Sequence, residues 1–86
     1  MKNIEIYTTM FCPFCTRAKS LLKSKGVKFT EIDVTVDAKG RQEMMKRSEG
    51  ATSVPQVFIQ GEHIGDCDFI HKLDASGQLD QILKSA

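Results

Sequence analysis

A strand, helix and strand pattern in the first 34 residues constrains the fold of this chain most strongly. Ile4 and Ile6 alternate with more polar neighbours, which predicts a short strand over residues 3–7. Apolar residues then recur at helical spacing over residues 17–25 and end before a glycine. Residues 27–34 are rich in β-branched and aromatic side chains and predict a second strand. Such a crossover implies parallel, right-handed pairing of the two strands.

Two cysteines lie between the first strand and the helix, in the sequence Cys12-Pro13-Phe14-Cys15. Cys12 is therefore at or just before a helix N-terminus, where free backbone amides and the helix dipole favour a thiolate over a thiol. We predict that Cys12 is a nucleophile. Cys15 lies one turn later, close enough to attack a mixed disulfide on Cys12 and release the substrate. The segment thus predicts a two-step redox reaction.

The rest of the chain predicts two more strands and two helical regions. Residues 37–48 are charged and favour a helix whose apolar face carries two methionines. The apolar run at residues 57–59 predicts a strand covered on both faces, and a turn leads to a return strand at residues 63–64. A last helical region follows, capped by Asp66 or Asp68. The expected order is β, α, β, α, β, β, α.

Length and composition limit the class of protein. A chain of 86 residues is long enough for one domain with one core, which we place at residues 1–86. The formal net charge of +1 and the scattered basic residues argue against nucleic-acid and membrane-surface partners. No apolar run approaches the roughly 18 residues of a membrane span, and the N-terminus lacks a secretory pattern. We expect a cytoplasmic monomer.

The cysteine count bears on the kind of site. Three cysteines are an odd number, which argues against a disulfide framework and favours a catalytic or metal-binding pair. The third, Cys67, is either an inert packing residue or part of a functional turn. A zinc site would combine Cys12, Cys15 and Cys67 with His63 or His71. The spacing suits such a site poorly, so we expect no bound metal.

Further segments, read with the cysteine pair, resemble the dithiol glutaredoxins, and most of all the small bacterial type. The matching segments follow the family's order over nearly the full chain: IYTT, CPFC, RAKSLL, KGVKF, TSVPQVFI, HIGDCD and LDASGQLD. The resemblance implies an α/β thioredoxin fold, with a four-stranded mixed sheet flanked by helices. Thioredoxins themselves usually carry WCGPC, and this chain has no tryptophan.

The resemblance implies a glutathione-dependent thiol-disulfide oxidoreductase. In the family the first cysteine, here Cys12, attacks glutathionylated proteins or protein disulfides, and the second, here Cys15, is the resolving thiol. Two glutathione molecules then reduce the oxidised enzyme, so glutathione is a co-substrate and no cofactor is tightly bound. The residues expected to support the active site are Pro13, Phe14 and Pro55.

The resemblance also nominates the residues that bind glutathione. The Val54–Pro55 bond is expected to be cis and to expose the Val54 backbone to an extended thiol substrate. The Gly-Asp-Cys-Asp segment matches a turn that holds the γ-glutamyl end, through the backbone of Cys67 and the carboxylate of Asp68. Gln56 is nominated at the carboxylate of the ligand.

Several positions depart from the family pattern. Thr9 stands where many glutaredoxins have a lysine that pairs with glutathione, and Asp66 stands where a second glycine is usual. Both changes predict weaker glutathione binding, which Gln56 or Arg47 would compensate. In addition, Phe11 replaces the usual threonine before the first cysteine. Together with its neighbour Met10, this residue forms an apolar rim that either docks partners or packs inward.

An iron–sulfur cluster carrier is the alternative function. Some glutaredoxins hold a cluster between two subunits, with glutathione as an additional ligand. Pro13 argues against this function, because cluster-binding relatives more often have glycine or serine at that position.

Overall fold

The computed structural model describes residues 3–84, which form a four-stranded mixed sheet and four helices. The elements are β1 (Ile4–Thr8), α1 (Pro13–Ser24), β2 (Thr30–Asp33), α2 (Ala38–Arg47), β3 (Gln56–Ile59), β4 (Glu62–Gly65), α3 (Cys67–Ala75) and α4 (Gln78–Lys84). The strand order is β2-β1-β3-β4, with β1 parallel to β2 and antiparallel to β3. The predicted parallel crossover is therefore confirmed.

Side-chain alternation along β1 and β3 divides the core into two layers. Ile6 and Val57 contribute to the layer that includes buried residues of α1 and α3. Tyr7 and Phe58 contribute to the other layer, where the fully buried Met44 of α2 packs against them. Helices therefore cover both faces of the sheet, as predicted. Within residues 3–84, every helix is too short or too polar to span a membrane.

Three predictions of element boundaries differ from the structure by more than one residue. Helix α1 begins at Pro13 rather than at residue 17, because proline presets φ and needs no amide donor in the first turn. Strand β2 begins at Thr30, since the half-buried Val27 and Phe29 pack on the core instead of extending the strand. The last helical region is divided near Gly77, whose φ of +82° ends α3 before α4 begins.

One end of the sheet brings three segments together. The N-terminus of α1, the loop at residues 52–55 before β3 and the N-terminus of α3 all meet there. These segments contain the cysteine pair, the second proline and the third cysteine. The fold thus brings together distant segments that the sequence marked as functional.

Candidate active site

Cys12 lies where the backbone changes from extended to helical. It caps α1 with φ −117° and ψ 101°, and Pro13 follows as the first helical residue. The backbone N–H of Cys15 donates a hydrogen bond to the Cys12 sulfur at 3.1 Å. This bond and the positive end of the helix dipole both stabilise negative charge on the sulfur. Cys12 is half-buried, so a substrate disulfide can reach it.

Cys15 has the opposite environment, with only 1% of the residue exposed. Burial, aided by the hydrogen bond and the charge of Cys12, raises the pKa of the Cys15 thiol to about 12. A hydrogen bond from the Thr9 backbone and the charge of Lys19 lower this pKa by smaller amounts. Cys15 therefore stays a protonated thiol near neutral pH.

The loop before β3 lies against Cys12. The Val54–Pro55 peptide bond is cis, as the resemblance implied. The Val54 carbonyl oxygen lies 4.0 Å from the Cys12 sulfur. Pro55 is buried and Val54 is half-buried. The structure thus brings together Cys12 and two of the residues nominated beside it.

A groove of about 180 Å³ runs from this loop to the N-terminus of α3, and we call it the α3 groove. Its lining residues are Phe14, Ser53, Val54, Pro55, Asp66, Cys67 and Asp68. Asp66 caps α3 by accepting a hydrogen bond from the Phe69 backbone at 3.0 Å. The first amides of a helix have no partner within it, so this end of α3 can bind an anion.

The Cys67 side chain belongs to the hydrophobic core, although the residue lines the α3 groove. It is 3% exposed, and its sulfur lies 3.5 Å from Nδ1 of His71. Burial raises the pKa of the Cys67 thiol, Arg17 lowers it, and Asp68 adds to the increase. Cys67 is therefore a buried, weakly acidic thiol, and its backbone is the part available to a ligand.

The side chain of Gln56 stabilises the loop at residues 52–55 by hydrogen bonding. Its Nε2 donates to the Ser53 carbonyl at 3.0 Å, and its Oε1 accepts a hydrogen bond from Nε2 of His63 at 2.6 Å. The His63 ring in turn lies 5.1 Å from the ring of Phe58. The hydrogen bond from Gln56 holds Ser53, the residue directly before Val54, in place. Gln56 itself is 3% exposed, with its amide fully engaged in these bonds.

Arg47, the other candidate for compensation, is engaged in the layer under α2. Its guanidinium donates to Glu5 at 2.8 Å and to the Tyr7 hydroxyl at 2.9 Å. It also lies 4.3 Å from the centre of the Phe58 ring. The hydrogen bond with Glu5 raises the pKa of Arg47 most. These contacts give Arg47 a structural role, and they do not support compensation at the ligand.

The apolar rim projects into solvent, with Phe11 95% and Met10 58% exposed. Of the two alternatives left open by the sequence, inward packing is therefore wrong. Phe11 adopts φ +55°, a left-handed conformation that is uncommon for a bulky residue. The backbone N–H of Met10 donates to Oγ1 of Thr35 at 2.7 Å, which ties the rim to the loop after β2.

Comparison with known proteins shows what this arrangement belongs to. The glutaredoxin family model matches residues 4–64. The chain belongs to the glutaredoxin family. It is 56% identical over 84 residues to glutaredoxin 3 of Escherichia coli K12, covering 98% of this chain and 100% of that protein.

Solved structures agree with this assignment. A glutaredoxin from Brucella melitensis matches with a TM-score of 0.84 and 43% identity, covering 96% of this chain and 89% of that one. The buckwheat glutaredoxin–glutathione complex matches with a TM-score of 0.85 and 27% identity, covering 95% and 76%. The predicted family and thioredoxin fold are therefore confirmed.

Glutaredoxins are glutathione-dependent disulfide oxidoreductases, so the predicted reaction class is confirmed as well. The relatives do not favour the alternative of an iron–sulfur carrier. In the part of the chain that the structure describes, no three His, Cys, Asp or Glu side chains are grouped to hold a metal ion.

Sequence reasoning missed the supporting contacts of the site. Ser53 and His63 were not recognised as supports of the loop, and Thr35 was not recognised as a partner of the rim. The Gln56–His63 contact joins β3 and β4, a strand pair with a register shift. The Met10–Thr35 contact joins the loops that follow β1 and β2. The only available signal was the polar Gln56 at the start of an apolar strand, since a buried amide requires partners.

Proposed function

We propose that Cys12 is the nucleophile of this glutaredoxin. The hydrogen bond from the Cys15 amide to the Cys12 sulfur at the start of α1 carries this proposal. The Cys12 thiolate attacks the glutathione sulfur of a mixed disulfide, and the substrate thiolate leaves and takes a proton from water. A second glutathione thiolate then attacks the Cys12–glutathione disulfide, which forms glutathione disulfide and restores the Cys12 thiolate.

Cys15 serves as the resolving thiol when the substrate is a protein disulfide. Its pKa of about 12 keeps it protonated while Cys12 is free. Burial is the main cause of this raised pKa, and the smaller contribution of Cys12, through its hydrogen bond and charge, is removed once Cys12 is bonded to a substrate. Reaction of Cys12 thus lowers the pKa of Cys15 and favours its attack on the mixed disulfide.

Glutathione binds in the α3 groove. Its chain pairs with the backbone of Val54, and its γ-glutamyl carboxylate lies at the first amides of α3, including that of Cys67. The Asp68 carboxylate pairs with the γ-glutamyl ammonium group. Support comes from the groove's lining and from the exposed position of Asp68. Gln56 contributes by holding the loop that presents Val54.

The remaining assignments concern the setting in which the enzyme acts. Its substrates are glutathionylated proteins and protein disulfides, and glutathione is the reductant. It acts as a cytoplasmic monomer that forms one unit over residues 1–86, without a tightly bound cofactor. The glutathione complex of the buckwheat relative supports glutathione as ligand.

A glutathione-coupled assay with cysteine variants tests these roles. Cys12→Ser is expected to abolish reduction of both a small glutathione mixed disulfide and a protein disulfide, because no nucleophile remains. Cys15→Ser is expected to retain the first activity and lose most of the second. Cys67→Ser serves as the thiol-removal control, since its proposed contact is made by the backbone. Equal losses on both substrates for Cys15→Ser would contradict the separate roles.

A further inference from the structure

A second groove adjoins the site described above, and both Cys12 and Cys15 are among its lining residues. Its volume is about 540 Å³. Its lining residues are Thr9, Met10, Phe11, Cys12, Pro13, Cys15, Thr16, Lys19, Glu31 and Asp33. We call it the acidic groove. None of these residues lines the α3 groove, so the two grooves give the Cys12 sulfur two separate neighbouring surfaces.

Met10 and Phe11 form the apolar wall of the acidic groove, and a backbone hydrogen bond anchors this wall. Phe11 is 95% exposed at φ +55°, a conformation that needs support in a residue of this size. The support comes from Thr35, whose Oγ1 accepts the Met10 N–H at 2.7 Å and donates to Asp33 at 2.6 Å. The Thr35 N–H also donates to Asp33, at 2.8 Å. The backbone that leads into this exposed phenyl ring is thus anchored close to Cys12.

The charged part of the acidic groove is only partly neutralised. Glu31 accepts hydrogen bonds from Lys19 at 2.9 Å and from the Thr8 hydroxyl at 2.7 Å. Asp33 accepts hydrogen bonds from Thr35, and within residues 3–84 no cation forms an ion pair with it. These hydrogen bonds keep the pKa of Asp33 below its usual value. The acidic groove therefore combines an apolar wall with one unpaired carboxylate.

We propose that the acidic groove binds the polypeptide side of the mixed disulfide and selects proteins with an apolar and a basic residue beside the reacting cysteine. This inference rests on the proposed function of Cys12. The thiolate bonds to the glutathione sulfur, the old S–S bond breaks, and the polypeptide thiolate departs with the electron pair and is protonated by water. Residues next to a cysteine in an extended chain lie about 3.3 Å further along, and Phe11 and Asp33 line the same groove as Cys12.

Glutathionylated peptides that differ at one position test this selection. The first peptide has leucine before and lysine after the cysteine, the second replaces lysine with glutamate, and the third replaces leucine with serine. At low salt, kcat/KM is expected to be about two- to fivefold higher with lysine than with glutamate, the range of an exposed ion pair. It is expected to be about threefold higher with leucine than with serine, as for partial burial of an apolar side chain.

Two variants assign these preferences to the acidic groove. Asp33→Asn is expected to bring the lysine-to-glutamate ratio close to one, since asparagine keeps an oxygen acceptor for Thr35 but removes the charge. Phe11→Ser is expected to remove the leucine-to-serine preference. Glu43→Gln and Val36→Ser are the matched controls, because Glu43 is an exposed acid on α2 and Val36 is 96% exposed outside the groove. Both controls are expected to keep the wild-type ratios.

The wild-type enzyme supplies an independent measurement. Its preference for lysine is expected to shrink when salt is raised to about 0.5 M, whereas the preference for leucine is expected to remain. Equal rates on all three peptides would overturn the groove assignment, while turnover of the mixed disulfide of glutathione and 2-mercaptoethanol would leave the role of Cys12 intact. An Asp33→Asn variant that changes only the KM for free glutathione would show that glutathione occupies this groove, which also overturns the proposal.

Discussion

Cys12 and Cys15 belong to the same short segment, yet the first is half-buried and the second is 1% exposed. The difference follows from helix geometry, because the capping residue stays at the surface while a residue on the first turn faces the core. The sequence predicted Cys12 as the nucleophile and Cys15 as the resolving thiol from their order at the start of the helix. Their positions on α1 separate an accessible sulfur from an enclosed thiol.

Alkylation of the reduced protein tests this separation directly. Brief treatment with iodoacetamide near neutral pH is expected to label Cys12 first, since its sulfur accepts a backbone hydrogen bond and is accessible. Cys15 and Cys67 are buried, and burial raises the pKa of both thiols. Peptide mapping by mass spectrometry identifies the labelled residue. Earlier labelling of Cys67 would mean that the side chain at the α3 groove is open in solution.

The raised pKa of Cys15 also predicts a pH dependence of stability. The folded state holds the Cys15 proton up to a pH of about 12, whereas an unfolded thiol loses it near the ordinary value of 9.0. The unfolded state therefore binds fewer protons above about pH 9, and stability falls as the pH rises from there. Between about pH 9 and 10.5, we expect the free energy of unfolding of the reduced protein to fall by about 1–2 kcal/mol through this group.

Urea unfolding of wild type and Cys15→Ser over this range isolates the contribution. Serine does not titrate, so the variant is expected to show a smaller loss with rising pH. Groups that do not interact with Cys15 are common to both proteins and cancel in the comparison. Parallel pH profiles would contradict the assignment of the raised pKa to Cys15.

Among the elements, the loop at residues 52–55 depends on contacts that reach it through the sheet. Gln56 is the first residue of β3, and His63 lies on β4. Their side chains form a hydrogen bond of 2.6 Å, and the Gln56 side chain also donates a hydrogen bond to the Ser53 carbonyl. The loop that presents Val54 is therefore fixed by a hydrogen-bond chain ending on the far edge strand. This arrangement makes β4 part of the support of the active site.

Removing the amide of Gln56 tests that support. Gln56→Met keeps the side-chain volume but removes the hydrogen bonds to the Ser53 carbonyl and His63, which contribute about 0.5–1.5 kcal/mol each. We expect the KM for glutathione to rise about three- to tenfold, with a smaller change in kcat, because the loop positions the ligand and Cys12 is untouched. Glu62→Gln, on the same edge strand, is the control and should leave both constants unchanged. A fall in kcat at unchanged KM would contradict a positioning role.

The strands and helices could be predicted from the sequence, but the side-chain contacts between them could not. Alternation in β1 and the periodicity of α1 are local patterns, so the crossover and the position of Cys12 followed from them. The contact between Gln56 and His63 depends on the β3–β4 pairing, whose register shifts between Val57 and Phe58. A bulge of this kind breaks simple alternation and leaves no local signature.

For the molecule as a whole, the net charge of +1 conceals an uneven distribution. Acidic side chains lie on both sides of Cys12, with Glu31 and Asp33 in the acidic groove and Asp66 and Asp68 at the α3 groove. Because Asp66 caps α3, its replacement by glycine would change the helix terminus as well as the charge. Thr9 lines the acidic groove together with Asp33. A lysine introduced there would therefore change the charge of the acidic groove and not that of the α3 groove.

Asp66→Asn isolates the effect of this charge on glutathione binding. Asparagine caps a helix about as well as aspartate, so the fold is retained and one negative charge beside an anionic ligand is removed. We expect the KM for glutathione to fall about two- to threefold at low salt, with little change in kcat and a gain that shrinks as salt is raised. The remote Glu43→Gln changes net charge equally and is expected to leave the KM unchanged. Asp66→Ala should instead lose about 1 kcal/mol of stability, because the cap is gone. If Asp66→Asn raised the KM, this carboxylate would be contributing to ligand binding, through the γ-glutamyl ammonium group that we assign to Asp68.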